Sequence, residues 1–212
     1  MMRSRSTLVF LIGSAVFRSA VGSEVELRHA GAHSALSVTP WTAIRDGGVV
    51  RQQLDYSCGA AALATVLNHY YGEATTEREI LERQPEPRPA TFATLAELAS
   101  TFGYEARGYA LSLDALAQLN LPVILYVEVN GNRHFSVLRR ASANSVMLAD
   151  PSMGNRIYSI PDFLNVWAKR NRGENEGKVL VVLPKTHGVA GDPGFMRQAP
   201  VRFAGYDFRA GR

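Results

Sequence analysis

The chain has 212 residues, 46% hydrophobic and 20% charged, with 18 glycines, 10 prolines and one cysteine. That length and composition fit one domain, or at most two small ones, with a core of its own, and exclude collagen-like, coiled-coil and wholly disordered chains. The single cysteine excludes a disulfide framework and any multi-cysteine zinc site. The net charge of +4 resides at the ends, because residues 1–23 hold Arg3, Arg5 and Arg18 with no acid, and residues 184–212 hold five basic and two acidic residues. The middle is left at about −2, so the folded body offers no nucleic-acid footprint.

Arg3 and Arg5 precede an apolar run from Leu8 to Phe17, and small residues follow at Ala20, Gly22 and Ser23. This is the layout of a secretory signal over residues 1–23, cut near Gly22 or Ser23. No apolar run reaches the roughly 18 to 20 residues of a spanning helix. In an exported chain the lone cysteine is either an inert buried thiol or a working one.

Residues 24–45 lack periodicity and read as an irregular leader to a domain over 46–184. Val49-Val50 reads as the end of a short strand. Ser57 is placed to cap a helix of about 14 residues that starts at Cys58, repeats Leu63, Val66, Leu67 and Tyr70, and stops at Gly72. Thr76 with Glu79 forms a capping box for a second helix, broken by Pro85–Pro89. Leu95, Leu98, Ala99 and Phe102 mark a third helix, ended by Gly103. Strand 104–109 and a short helix over 112–119 follow. The period then changes to two, giving strands at 123–129, 134–140 and 146–150, an extended piece at 157–159, a helix opening at Ser159-Ile160-Pro161-Asp162, and a last strand at 178–183. Helices first and strands after predict an α+β fold, with N-terminal helices packed on a C-terminal antiparallel sheet. Residues 185–212 read as a mobile tail in which Phe195, Phe203, Tyr206 and Phe208 are free to dock.

Three residues carry chemistry together. Cys58 lies in the first turn of a helix, where free amides and the dipole lower a thiol pKa. Its bland alternative is a buried structural thiol. His134 opens a strand and Asp150 ends the next. With the hairpin loop centred on Ser142, pairing partners sum to 284, so His134 faces Asp150 and the carboxylate orients the imidazole. A slip of two residues keeps both on one face, whereas a slip of one separates them. Asp150 before Pro151 also reads as a turn initiator. A cysteine, a histidine and an orienting carboxylate make an activated nucleophile. Gln52, six residues before Cys58, could donate to an oxyanion beside the Cys58 backbone N–H, with Gln53 a competitor for that role.

The chain resembles the bacteriocin-leader-processing cysteine peptidases, a papain-like group known for cutting after double-glycine leaders. The match lies in Gln52, Cys58-Gly59-Ala60-Ala61-Ala62-Leu63, Tyr70-Tyr71-Gly72, His134-Phe135-Ser136-Val137-Leu138, Asp150-Pro151-Ser152-Met153-Gly154, Phe163 and Trp167, over roughly 48–183. The resemblance implies a papain-like fold, with Cys58 as nucleophile, His134 as base and then acid, Asp150 as orienter and Gln52 as oxyanion donor. Members commonly carry an aspartate just before the cysteine, where this chain has Ser57. No Walker A motif follows, so the chain is more similar to stand-alone, signal-bearing members, which include proteases linked to export of bacterial functional amyloid. The expectation is thus a periplasmic thiol protease, free of metal and cofactor, with no membrane span after signal cleavage. Its partner would be an exported peptide or protein substrate, such as an amyloid or secretion-system component. A non-catalytic peptide-binding module of the same fold and a thiol acyltransferase are the alternatives; the retained Cys58 counts against the first.

Overall fold

The computed structural model describes residues 23–29, 32–129, 131–171 and 174–197. The signal segment therefore lies, apart from Ser23, outside the described residues, as do Asn130 and the last aromatics of the tail. The chain divides into two units, one up to Pro40 and one from Trp41 onward. In the first, β1 (Ser23–His29) and β2 (Ala32–Val38) pair antiparallel, with Ser23 opposite Val38. This corrects the irregular leader: a hairpin occupies it, followed by the helix α1 (Trp41–Asp46).

The second unit is built on a seven-stranded antiparallel sheet. Its strands are β3 (Tyr104–Ser112), β4 (Val123–Val129), β5 (Asn132–Ala141), β6 (Ser145–Asp150), β7 (Gly154–Ser159), β8 (Ala168–Asn171) and β9 (Glu174–Pro184). They lie in the order β3-β9-β4-β5-β6-β7, with β8 also on β9. The last strand thus sits between two earlier ones, and its residues Val179–Val182 are buried or nearly so on both sides.

Both faces of the sheet are covered. On one, Ile124, Phe135, Val137, Ala149, Leu180 and Val182 pack against α2 (Cys58–Thr65) and α4 (Phe92–Thr101). On the other, Val123, Leu125, Val127, Leu138, Leu148 and Val179 pack against Leu116 of α5 (Leu113–Ala117) and Phe163 and Trp167 of α6 (Ile160–Trp167). Period-two alternation of apolar residues on both sides explains the nearly unbroken apolar runs of β4 and β6. The capping box of α3 (Glu77–Leu81) forms as its spacing predicts: Glu79 N–H donates to Thr76 Oγ1 at 3.3 Å, and Thr76 N–H donates to Glu79 Oε2 at 2.7 Å.

Every residue of α2 is buried. A helix can lie that deep only if it carries no charge and can approach the sheet closely. Gly59 supplies the closest approach: a Cβ there would sit 3.0 Å from the Ala90 Cβ and 3.2 Å from the Phe135 ring. The helix continues as a π turn over Val66–Tyr70, where Tyr71 N–H donates to Val66 O at 3.2 Å. The extra residue turns Tyr71 toward β9, where its hydroxyl donates to Val182 O at 2.8 Å.

Four expectations are corrected here. Ser57 does not cap α2, because its hydroxyl is spent on the preceding turn, donating to Leu54 O at 2.7 Å and accepting from Leu54 N–H. Val49-Val50 forms no strand; Val50 N–H is satisfied instead by Thr65 Oγ1 at 3.0 Å. The domain begins at α1 rather than at residue 46. The tail is not free throughout: 185–197 is described, and α7 (Pro193–Arg197) buries Phe195 against Tyr70 and Arg139. Replacing Gly59 by valine is expected to lower the unfolding free energy by about 2 kcal/mol through overpacking between α2 and β5. Urea unfolding checks this; an unchanged midpoint would show that α2 can lift off the sheet without loss.

Candidate active site

Cys58, His134 and Asp150 come from three elements and meet at one point. Cys58 is the first residue of α2, and its thiol is hydrogen-bonded to the His134 side chain and to the backbone N–H groups of Phe135 and Gly59. His134 lies near the start of β5, and its Nε2 is 3.1 Å from Asp150 Oδ2. With Nε2 engaged there, Nδ1 is the ring nitrogen left for the sulfur.

Asp150 divides its work between its two oxygens. Oδ2 meets the histidine, while Oδ1 accepts from Ser152 N–H at 2.9 Å, Ser152 Oγ–H at 2.8 Å and Met153 N–H at 2.9 Å. The turn-initiator reading and the imidazole-orienting reading of Asp150 therefore describe different atoms of one side chain.

The pairing of β5 with β6 corrects the predicted register. Val137 faces Ala149 and Leu138 faces Leu148, two residues away from the sum-of-284 alignment, so His134 and Asp150 are diagonal neighbours rather than direct partners. Two local causes combine. The turn spans Ser142 to Ser145, held by Ser142 N–H to Ser145 O at 2.9 Å, and it aligns Ala141 with Val146 and Arg140 with Met147. A bulge between Leu138 and Arg140, at Arg139, then shifts the register by one. The displacement totals two residues, and both side chains stay on one face.

The charges favour an ion pair. Burial pushes the Cys58 thiol up, but the hydrogen bond from His134 and the N–H groups of Phe135 and Gly59 outweigh it and hold the thiol below its ordinary value. Burial pushes His134 down, but the hydrogen bonds and negative charges of Asp150 and Cys58 lift it to about 9. Burial raises the Asp150 carboxyl, and the bonds to His134, Ser152 and Met153 more than reverse this. Thiolate and imidazolium thus coexist from the depressed thiol value up to about pH 9.

Gln52 stands apart from these three. Its backbone N–H donates to Pro151 O at 3.0 Å, which ties its loop to the turn after Asp150. Its side-chain Nε2 donates to Leu54 O at 3.0 Å, so one of its two N–H groups is engaged locally, and its buried Oε1 has no partner. Gln53 points its amide at Arg51 O and gives its backbone N–H to the buried carboxylate of Glu77 at 2.9 Å. The loop is fastened further back. Asp46 takes Arg45 and Arg51, and Arg51 Nη2 donates to Ser152 O. Gly154 passes under α1 with φ of 82°, where a Cβ would lie 2.6 Å from Arg45 O. The Phe135 N–H and the role of Ser152 were not assigned from the sequence, since main-chain groups and turn hydroxyls carry no residue-type signal. Among the described residues, no three His, Cys, Asp or Glu side chains gather as a metal site.

Residues 47–171 match the peptidase C39 family. The chain belongs to that family. As a C39 peptidase it is a cysteine peptidase, and the papain-like α+β fold expected from its sequence is the fold of its structural neighbours. It is 33% identical over 154 residues to a probable functional amyloid protease, FapD, of Pseudomonas aeruginosa, covering 66% of this chain and 68% of that one. It is 36% identical over 131 residues to the protein of the same name from Pseudomonas fluorescens, covering 58% of each. The peptidase domain of Streptococcus ComA, a bifunctional ABC transporter, superposes with a TM-score of 0.55 at 23% identity, covering 64% of this chain and 97% of that one. A double-glycine motif protease solved with its leader peptide superposes at 0.54 and 23% identity, covering 64% and 90%.

The titration order is open to direct test. Iodoacetamide alkylation of Cys58 is expected to rise with pH well below the ordinary thiol value of about 8.5. In His134→Ala, where burial remains and the imidazolium is gone, it is expected to rise only near or above that value, so alkylation at pH 6 slows by about tenfold or more. Coincident curves for the two proteins would rule out the ion pair.

Proposed function

We propose that this C39 peptidase is an exported endopeptidase that hydrolyses a peptide bond in an exported polypeptide, through Cys58, His134, Asp150 and Gln52. The observation that carries this reading is the thiol at the tip of a buried helix, bonded to a histidine whose second nitrogen is held by a carboxylate. The thiolate adds to the scissile carbonyl carbon. The second N–H of Gln52 and the backbone N–H of Cys58 receive the oxyanion. His134 gives its proton to the leaving amine, and the C–N bond breaks to leave a thioester. His134 then takes a proton from water, which attacks the thioester; the acid product departs and the thiolate returns. The histidine begins each cycle protonated, and so as an acid.

The Pseudomonas relatives support a component of a functional-amyloid system, or a leader-bearing precursor, as the substrate, and the periplasm as the compartment. The basic, apolar N-terminal segment is consistent with export.

A library of peptides digested in water enriched in heavy oxygen tests the reaction. New C-termini carrying the label are expected from the wild-type protein and none from Cys58→Ala. Unlabelled, amine-capped products would mean acyl transfer, and an uncut library would remove the peptidase reading. On any peptide so found, Gln52→Ala is expected to lower kcat by about 10²-fold with little change in KM.

A further inference from the structure

Arg139 is among the largest fully buried side chains of the protein, and nothing in the chemistry above uses it. It occupies the bulge of β5, five residues after His134. Above the bulge, Arg140–Met147 and Ala141–Val146 keep one alignment. Below it, Leu138–Leu148 and Val137–Ala149 keep another, displaced by one. Side chains alternate strictly along a strand, so a displacement of one exchanges the faces of everything beyond it. Were the upper alignment to continue, Asp150 would share a face with Val137 and not with His134.

Most residues of β5 and β6 next to the bulge are buried, and apolar residues lie on both faces of the sheet, so the hydrophobic pattern alone distinguishes the two alignments poorly. The other constraint on the bulge is the side chain of residue 139. Its guanidinium is anchored to three separate segments: Nε donates to Phe195 O of α7 at 3.1 Å, and Nη1 donates to Gly47 O at 2.9 Å and to Asn155 Oδ1 of β7 at 2.7 Å. The plane also lies over the Phe195 ring, 4.5 Å from its centre. Gly48, with φ of 71°, leaves room for it, since a Cβ there would be 3.3 Å from both terminal nitrogens. Asn155 Nδ2 secures the same carbonyl of Gly47 at 2.8 Å. Only a planar fork of five donors can serve acceptors so arranged.

We propose that Arg139 is a positioning residue for the His134–Asp150 pair: anchored at Gly47, Asn155 and Phe195, it fixes the bulge that puts both side chains on one face of the sheet. The proposal rests on the reading of that pair as part of the active site. Its test needs no substrate, so a wild-type protein that cuts no peptide would sink the peptidase reading and leave this one standing.

The experiment uses the full chain with Arg139→Met, which keeps side-chain length, Arg139→Lys, and Leu116→Ala as a control for general loss of stability. Two quantities are read: the titration of the His134 ring by nitrogen-detected NMR, and the pH profile of Cys58 alkylation. In Arg139→Met the His134 titration is expected to fall from about 9 toward the ordinary ~6.5. Alkylation at pH 7 is expected to slow by about tenfold or more. Arg139→Lys is expected to restore part of both, and Leu116→Ala to leave both in place while lowering Tm. A folded Arg139→Met with wild-type titration and alkylation overturns the proposal. If Arg139→Met does not fold, Asn155→Ala, which removes one acceptor of the guanidinium, is expected to shift both quantities in the same direction by less; an unshifted profile in that variant overturns the proposal as well.

Discussion

The contact between α2 and β5 at Gly59 is the constraint from which the site follows. A helix with eight buried residues has to be apolar along its length, and its first amides must still find acceptors. Packing on β5 meets the first demand, and in the first turn Ala61 N–H finds Ser57 O at 2.9 Å. The backbone N–H of Phe135 reaches the Cys58 sulfur because no side chain at 59 holds the helix away. The Phe135 ring, on the opposite side of the strand from the His134 imidazole, packs into the core beneath α2 beside Phe92 and Tyr126. One strand thus supplies the anchor of the helix and the partner of the nucleophile in consecutive residues.

A second set of ties sets the loop before Cys58. From Asp46 to Gln53 the chain is pinned in turn by Arg45, Arg139, Thr65, Pro151 and Glu77. These are hydrogen bonds rather than apolar contacts, which suits a segment that is only partly buried and must keep one amide in position. Within the segment only Val49 and Val50 reach the apolar core.

Much of this was legible in the sequence for identifiable reasons. The Thr76/Glu79 box, the glycine stops, and the switch from helical to alternating period are local signals, and they located α2, α3, α4 and the central strands closely. The Cys58, His134 and Asp150 candidates stood out through residue type and position, and the structure brings the three together. Most of the missing parts are non-local or compensated. The β1/β2 hairpin does carry a short alternation, Glu24-Val25-Glu26-Leu27-Arg28, which is the signal that could have located it. Ser57 is a fair cap by type, but the turn at Leu54 claims its hydroxyl. The true register could not be read because a four-residue turn and a bulge each displace it and the two effects combine. The sign that something was there lay in Arg139, a charged residue in the middle of a core strand. Phe195 was one of four tail aromatics able to dock, and nothing local marked it as the one that enters the core.

The carboxylate of Asp150 has a consequence for which residue this position tolerates. Cysteine sites of the same general design can be completed by an amide in place of the acid. Here the oxygen facing the turn already accepts three hydrogens. An asparagine would have to keep its carbonyl there, because an NH2 group would meet three donors head on. Its NH2 would then be presented to Nε2 of the histidine. The ring would be forced into the tautomer that carries its hydrogen on Nδ1 and accepts on Nε2, and a neutral imidazole so held cannot take a proton from the thiol. A turn three residues long thereby dictates that the histidine's partner be an acid.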